Sequence, residues 1–506
     1  MEIELTDCDK EPVQFIDCIQ PYGALIAIDQ NNRIIAIAGS ADFVLQKKDL
    51  GKDIKEVLKD DSAAIMKLLE DRIDSARPVL IRSKTWRRWM TALTHRQGDV
   101  RILELEVLPT KEVDIPSIEF LKESRESLYT YLGHITANLK RMVGYDRVMV
   151  YRFAPDWHGE VVAETISLGA HKFMGHHFPA SDIPLPARQL FLKNWVRAIF
   201  DVDAVPIPLE HLSTAKLDLS RSALRSASPI HLEYLRNMDV SASLTLSLIH
   251  EGRLWGLIAC HHFEPKYITS EERNICALIA KLVSTKITSF ITGEAIVAIE
   301  RVSAFTEDLT ANISEEKFRD VIHAKKASLL SFVSADGFVA SFHNGAELVS
   351  TGEVPSASET TAIIDYVESL DDEVVHLRKL IAVSGFEHIT SCAGLMAIKL
   401  DSCVFIWLRK EFQQSIIWAG NPNKAVDKTD SSTKLSPRQS FNEYSEVVKD
   451  TSASWEAAEV SAAAMLKTEI LRTLDGIRRA IPRSASLYQE VIDSLYLEVI
   501  EPPTQM

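Results

Sequence analysis

The feature that most constrains this chain is one helical run, Glu271 to Leu309. Ile275, Leu278, Ile279 and Leu282, then Ile287, Phe290 and Ile291, recur at the spacing of one helix face. At 1.5 Å per residue such a helix is about 55 Å long, more than one compact domain needs. The run therefore predicts a connector between domains. Its apolar face also needs a partner surface. Part of the stripe is expected to pack within its own domain, and the rest to pair with a second copy of the chain.

At 506 residues the chain has room for about three domains of roughly 150 residues each. With 46% hydrophobic and 25% charged residues it matches soluble globular proteins. A net charge of −15 and the lack of a dense Lys/Arg run argue against a nucleic-acid partner. Cysteines 8, 18, 260, 276, 392 and 403 form no C-x-x-C pair, which argues against a disulfide framework or a zinc ribbon. The acidic start Met1-Glu2-Ile3-Glu4-Leu5 is no signal peptide, and Lys281 and Lys286 interrupt the best membrane-span candidate. A reducing cytoplasm is the expected location, with no membrane partner.

Residues 19–109 read as a small α/β unit. Ala24–Ile28 and Arg33–Ile37 are apolar runs around the turn signal Asp29-Gln30-Asn31-Asn32. Helical pattern follows at 53–75, then strands near 78–83 and 101–108. A second unit spans 117–312: a helix at 119–142, the strand Arg147–Phe153, and the strands Ser243–Ile249 and Leu254–His262 joined by Glu251-Gly252. A third, 313–480, reads as helix 316–323, strands 328–342, helix 358–368, strands 381–408 and a last helix Ser454–Leu474. An irregular polar insertion at 412–447 is bracketed by Trp418 and Phe441, and polar loops of this length are usually functional or disordered.

The chemistry gathers at a few places. Pro179-Ala180-Ser181-Asp182-Ile183-Pro184 holds one acid between two prolines, which fix their own φ and bias their predecessors. His176-His177 lies just upstream, and a helical run from Ala187 to Ile199 follows, carrying Arg197. Arg225 lies in Ser222-Ala223-Leu224-Arg225-Ser226-Ala227-Ser228-Pro229. The planar fork of arginine suits carboxylates, although either arginine alone also reads as a solvated surface residue. His261 and His262 close the strand Trp255–Cys260. Strand alternation turns one of them inward, and adjacent strand residues diverge too far for a Cys260–His261–His262 zinc site. A hydrogen-bonded structural histidine is the other reading. Cys8 sits in a charged segment, Leu5 to Pro12, where a thiol reads as reactive rather than as core filler, and Lys10 favours its thiolate.

Several segments taken in order resemble a bacteriophytochrome photosensory module. They are Cys8…Glu11-Pro12…Ile19-Gln20-Pro21-Tyr22-Gly23, Tyr151-Arg152-Phe153, Phe178–Pro184, Ser228-Pro229-x-His231-x-x-Tyr234-Leu235-x-Asn237-Met238, Trp255–His262 and Ser436-Pro437-Arg438-Gln439-Ser440-Phe441. The resemblance covers almost the whole chain. It implies an α+β protein of three α/β sensor domains with antiparallel sheets, PAS (1–115), GAF (116–312) and PHY (313–480). A long helix connects domains, a tongue inserts at 412–447, and residues 481–506 form an extension or output linker.

It also implies a linear tetrapyrrole, biliverdin, in the middle domain and bound as a thioether to Cys8. Leu232 stands where relatives that use a GAF-domain cysteine carry it, and Cys18 is a nearby competing thiol or a core filler. Asp182 resembles the acid at the pyrrole nitrogens, framed by Ile183 and Pro184. His231 and Ser228 belong to the motif beside the pyrroles, and His261 to the D-ring carbonyl. Arg197 and Arg225 resemble the propionate anchors, with Ser243 and Thr245 as hydroxyl partners. Tyr151, Phe178 and Tyr234 resemble the D-ring cage, and Phe191 replaces a frequent tyrosine. Asp182 pairing with Arg438, with Ser440 as alternate and Trp418 at the tongue's edge, would be the switch. The implied function is a red/far-red photoreceptor, a homodimer that signals to an output domain or partner. A bilin or small-molecule sensor without photoconversion is the alternative. No Gly-Gly-Asp/Glu-Glu-Phe or ATP-lid glycine signature marks the chain as an enzyme.

Overall fold

The computed structural model describes residues 13–40, 43, 46–70, 78–84, 86–108, 126–310, 318–342, 347–400, 403–422 and 440–474. They divide into two units. One is built on the chain up to Thr288 together with Ile417–Tyr444, the other on Ser289–Ile416 with Ser445 onward.

The first unit opens with β1 (Cys18–Ile19), β2 (Gly23–Ile28), β3 (Ile34–Gly39), α1 (Ile54–Leu58), α2 (Ser62–Glu70), β4 (Val79–Ser83), β5 (Arg88–Gln97) and β6 (Val100–Val107). The β2–β3 turn forms because Asp29 accepts the amides of Asn31 and Arg33 at 2.8 Å each and Asn32 adopts a left-handed φ of 63°. There follow α3 (Leu128–Val143), β7 (Arg147–Phe153), β8 (Gly159–Ile166), β9 (His176–Phe178), α4 (Leu185–Lys193), β10 (Val196–Ile199), β11 (Ile207–Pro208), β12 (Glu210–His211), α5 (Pro229–Asn237), β13 (Ala242–His250), β14 (Arg253–His262) and α6 (Ser270–Thr310).

Two sheets result. The first has the order β12-β3-β2-β6-β5-β4, and the second begins β10-β13-β14-β7-β8-β9. All neighbours within these runs are antiparallel. One face of the first sheet buries Ala24, Ile26, Leu103 and Leu105 against α1 and α2. Its other face meets Ile19, Leu209, Leu217, Leu219 and Leu224, so the segment around β1 and the 207–226 stretch close one apolar layer. Hydrogen bonds tighten that closure: Gln20 donates to the Ala198 carbonyl at 3.0 Å and accepts the Phe200 amide at 3.1 Å.

The second unit holds α7 (Phe318–Phe332), β15 (Gly337–Phe342), β16 (Glu347–Gly352), α8 (Ala357–Ser369), β17 (Val374–Leu377), β18 (Gly394–Lys399) and β19 (Cys403–Arg409), with sheet order β16-β15-β19-β18-β17. After β19 come β20 (Gln414–Ala419), β21 (Glu443–Val448) and α9 (Ala457–Leu474). The fully buried Trp407 anchors this core and donates its indole N–H to the Leu329 carbonyl at 2.7 Å.

The structure corrects several sequence expectations. Arg197 lies on β10, not on a helix. Asn194 ends α4 by turning its side-chain amide onto the Leu190 and Ser220 carbonyls, and Val196 and Ile199 then favour a strand. Strands β5, β8 and β9 had no place in the sequence reading. Residues 328–332 complete α7 instead of opening a strand, and Leu380–Ala382 is a 3₁₀ turn. The insertion at 412–447 contains β20 and β21.

Candidate ligand-binding site

Strand alternation builds the site. Register places Ile199, Ser243, His261 and Arg147 in one row across β10, β13, β14 and β7, and Arg197, Thr245, Ala259 and Met149 in the next row of the same face. Tyr151 lies two residues further along β7 on that side. The opposite face carries Val148, Val150, Leu244, Leu246, Ile258 and Cys260, all fully buried, with α3 packed on β7 and β8. So the sheet has one apolar face for the core and one that gathers two arginines, hydroxyls, an imidazole and a tyrosine. The inward histidine of the pair is His261, and Cys260 faces away from it.

The aromatic wall follows from close packing. The rings of Tyr151 and Phe178 lie 5.9 Å apart, and Phe191 and Tyr234 pack against the same cluster. Gly159 makes room for the Tyr151 ring, because an added Cβ there would lie 1.8 Å from it. The Pro179–Pro184 segment makes one 3₁₀ turn, Ala180–Asp182, and the Asp182 carboxylate accepts the Tyr234 hydroxyl at 3.0 Å. Ile183 packs against the aromatic cluster and Pro184 is the N-cap residue of α4. Ser228 caps α5 by accepting the Ile230 amide, with Pro229 at the first helical position. That helix carries His231 and Tyr234, whose rings stack 6.1 Å apart.

The two arginines converge although 28 residues separate them. Arg197 donates to the Ala223 and Arg225 carbonyls, and Arg225 donates to the Val13 carbonyl at 2.9 Å. Burial holds the Arg197 pKa well below its ordinary value, with the Arg225 charge adding to the effect and Glu104 opposing it. Burial also brings Arg225 down to about 10, against Asp218 and Glu104. His231 is lowered to about 4, first by desolvation and then by both arginines. Yet His231 has accessible surface. A ring that neighbouring atoms surround yet that keeps exposed surface lines a recess, and those neighbours supply its desolvation. This is a cradle that holds two guanidinia, countered by Glu104 and Asp218, beside a wall of aromatic rings.

His261 is pushed down to about 3, chiefly by burial and then by Arg147 and His231. Its Nδ1 is buried without a hydrogen-bond partner among the described residues. The unfolded chain protonates this imidazole near pH 6.5 and the folded chain does not. Its contribution is therefore intact above pH 6.5 and is lost as pH falls toward 3. By pH 5 the ligand-free protein is expected to lose about 2 kcal/mol from this residue. Urea unfolding at pH 7.5 and pH 5 checks this, and His261→Gln should remove most of that difference. An equal pH dependence in the variant refutes it.

The insertion reaches the same unit. Ile417 and Trp418 of β20 pair in parallel with His176 and His177 of β9. Trp418 packs on His158 and His177, with ring centroids 5.8 and 5.7 Å away. Phe441 sits edge-on to Tyr234 at 5.1 Å, and the Gly420 amide donates to the Asn442 carbonyl at 2.9 Å. Ser440 is exposed and accepts the Asn442 amide. Cys8 and Arg438 lie outside the described residues. No cluster of metal-ligating side chains occurs among the described residues.

The sequence reading missed Glu104 and Glu106, both buried on β6. Their signal was present but misleading, since acids two apart on a strand read as a solvated face. It also missed His158, and it assigned no partner to Gln20.

A family model described as PAS fold matches residues 8–108, one described as GAF domain matches 127–287, and one described as phytochrome region matches 302–478. The chain is 30% identical to a bacteriophytochrome of Xanthomonas campestris over 92% of this chain and 78% of that protein. It is 30% identical to cyanobacterial phytochrome B of a Nostoc species, covering 93% of this chain and 66% of the relative, so it spans just under two thirds of that protein. The phytochrome photosensory core module of Stigmatella aurantiaca aligns with a TM-score of 0.81 at 30% identity, over 95% of this chain and all of that one. A bacteriophytochrome from R. palustris aligns with a TM-score of 0.81 at 29% identity, over 94% of this chain and all of that structure. The chain belongs to the phytochrome family, with a PAS, a GAF and a phytochrome-region domain in that order.

Proposed function

We propose that this chain senses red and far-red light through biliverdin held in its GAF domain and linked to Cys8. One observation carries the reading: a single sheet face brings Arg197, Ser243, Thr245, His261 and Tyr151 together, and Tyr234, bonded to Asp182, packs on the cluster that holds Tyr151. A bilin is a flat apolar body with two propionates and a conjugated core, and a recess with two guanidinia and an aromatic wall suits it. The orphaned Nδ1 of buried His261 suits a polar ring substituent. Val13, five positions after Cys8, bonds Arg225. Five extended residues span up to about 17 Å, so the thiol can reach the recess. Leu232 offers no thiol at the alternative position.

When bound, the tetrapyrrole supplies light absorption and a double bond that isomerises. The residues do the rest. Arg197 and Arg225 hold the propionates, with Ser243 and Thr245 as hydroxyl partners. Asp182 offers acceptors to pyrrole N–H groups, and the neutral imidazoles of His231 and His261 hold hydrogen bonds beside the rings. Tyr151, Phe178, Phe191 and Tyr234 exclude water. Tyr234 contacts both Asp182 and Phe441, so a change in the recess can alter how the tongue is held. Arg438, with Ser440 as alternate and Trp418 as its edge anchor, belongs to that switch.

We divide the chain at 115 and 312 into the three sensor domains. We assign it to the cytoplasm as a homodimer that passes its signal to an output domain or partner. The dimer rests on Leu278 and Leu282 of α6, which are 47% and 40% exposed while Ile279, Val283 and Ile287 are fully buried. By length and composition alone Ser270–Glu294 could cross a membrane, but that buried stripe gives it a protein core instead. A monomeric mass by light scattering rejects the dimer.

The test is direct. Adding biliverdin should give a red-absorbing species that red light converts, and the denatured adduct should fluoresce with zinc. Cys8→Ser should abolish that fluorescence and keep reversible binding. Binding without a light-induced change returns the chain to a bilin sensor. Retained labelling in Cys8→Ser with loss in Cys18→Ser moves the attachment.

A further inference from the structure

Glu104 is a buried carboxylate that the reading above does not use. It sits on β6 at 1% exposure, on the sheet face that meets the 207–226 stretch. Among the described residues its side-chain hydrogen bonds all go to one loop. It accepts the Ser222 hydroxyl, the Ala223 amide at 2.9 Å and the Leu224 amide at 3.1 Å. The Ser222 oxygen in turn accepts the Arg225 amide at 3.1 Å. The carbonyls of Ala223 and Arg225 are the ones that receive Arg197. One carboxylate thus fixes the loop that carries one guanidinium and seats the other. Its charge also opposes the effect of burial on both arginines.

We propose that Glu104 is the positioning residue of the Arg197–Arg225 pair, fixing the geometry in which the two guanidinia receive the two carboxylates of a dicarboxylate ligand. This rests on the bilin reading. The physical basis is that a charged acceptor of three donors holds a loop more firmly than neutral contacts do. Arginine forks are useful only when held in register with their partner. Glu106, two residues on, serves Arg273 and Tyr267 instead and is the internal control.

The experiment compares mesobiliverdin, whose ethyl groups cannot add to a thiol, with its dimethyl ester. Wild-type protein should bind the free acid more tightly than the ester. In Glu104→Gln, a near-isosteric change, that preference should fall about tenfold while ester affinity stays within about threefold, tenfold being 1.4 kcal/mol. Damage to the fold alone would weaken both ligands alike, so an unchanged acid-to-ester ratio overturns the proposal. Ser222→Ala removes one of the three donors and leaves the charge. It should lower the ratio in the same direction, and it decides the matter if Glu104→Gln does not fold. Wild-type protein that binds neither compound sinks the bilin reading instead. In that case hydrogen exchange of the Ala223 and Leu224 amides in ligand-free Glu104→Gln still tests the loop: faster exchange supports the role and wild-type exchange overturns it.

Discussion

Arg273→Ala should destabilise the first unit by about 3–5 kcal/mol, because it leaves a buried carboxylate without its partner. Arg273 on the first turn of α6 pairs with Glu106, which has no exposed surface. The guanidinium also donates to the Ile268 carbonyl at 2.7 Å and lies over the Phe200 ring. Burial alone would lower its pKa, but Glu106 outweighs that and raises it. After the substitution Glu106 keeps only the Tyr267 hydroxyl as a side-chain partner among the described residues. Urea unfolding followed by tryptophan fluorescence should show the loss. Replacing both partners, Arg273→Met with Glu106→Leu, should recover most of it, since no isolated charge then remains. A single-variant loss under 1 kcal/mol would mean that water reaches the carboxylate.

Phe441→Ala should release the tongue. Phe441 is 9% exposed in a cluster with Tyr151, Phe173, Phe178 and Leu235. Truncating a buried phenylalanine costs about 3–5 kcal/mol. Its other tethers include two parallel residue pairs to β9, Ala419 buried in the same cluster, the Trp418–His177 ring contact and a 3.4 Å contact from His176 to Glu443. A shift of that size redistributes a two-state element almost completely. Exchange of the Gly420 amide, bonded to the Asn442 carbonyl, should accelerate by roughly a hundredfold or more. Protection equal to wild type would show that the strand pairing holds without the ring.

Much of this was legible in the chain. The β2–β3 and β13–β14 hairpins announced themselves through turn residues, and Glu251 and Gly252 do adopt the left-handed φ values of 46° and 79° that a tight hairpin turn requires. The long helix was legible because its apolar period persists over many turns. Strand β5 was not, since Arg88-Trp89-Met90-Thr91-Ala92 mixes polar and apolar residues on both faces. Arg197 was misplaced because the pattern from Ala187 runs apolar through Leu190, Phe191 and Leu192 into Trp195 and Val196. Only the tertiary use of Asn194 ends the helix. The site's side chains could be named from local motifs, but their convergence could not. It depends on register between strands and on a loop tied to a different sheet.

The clasp around Gln20 has a consequence for biosynthesis. Gln20 bonds Ala198, 178 residues later, and Arg225 bonds Val13 across 212 residues. At about 5–20 residues per second, the ribosome delivers those partners only some 10–40 s after the N-terminal segment emerges. The β2–β6 sheet can pair in that interval, but Ile19, Leu25, Ile102 and the Glu104 carboxylate must wait with their outer layer missing. A nascent chain halted before residue 200 should therefore be the species most sensitive to chaperone depletion, and one released after residue 230 markedly less so.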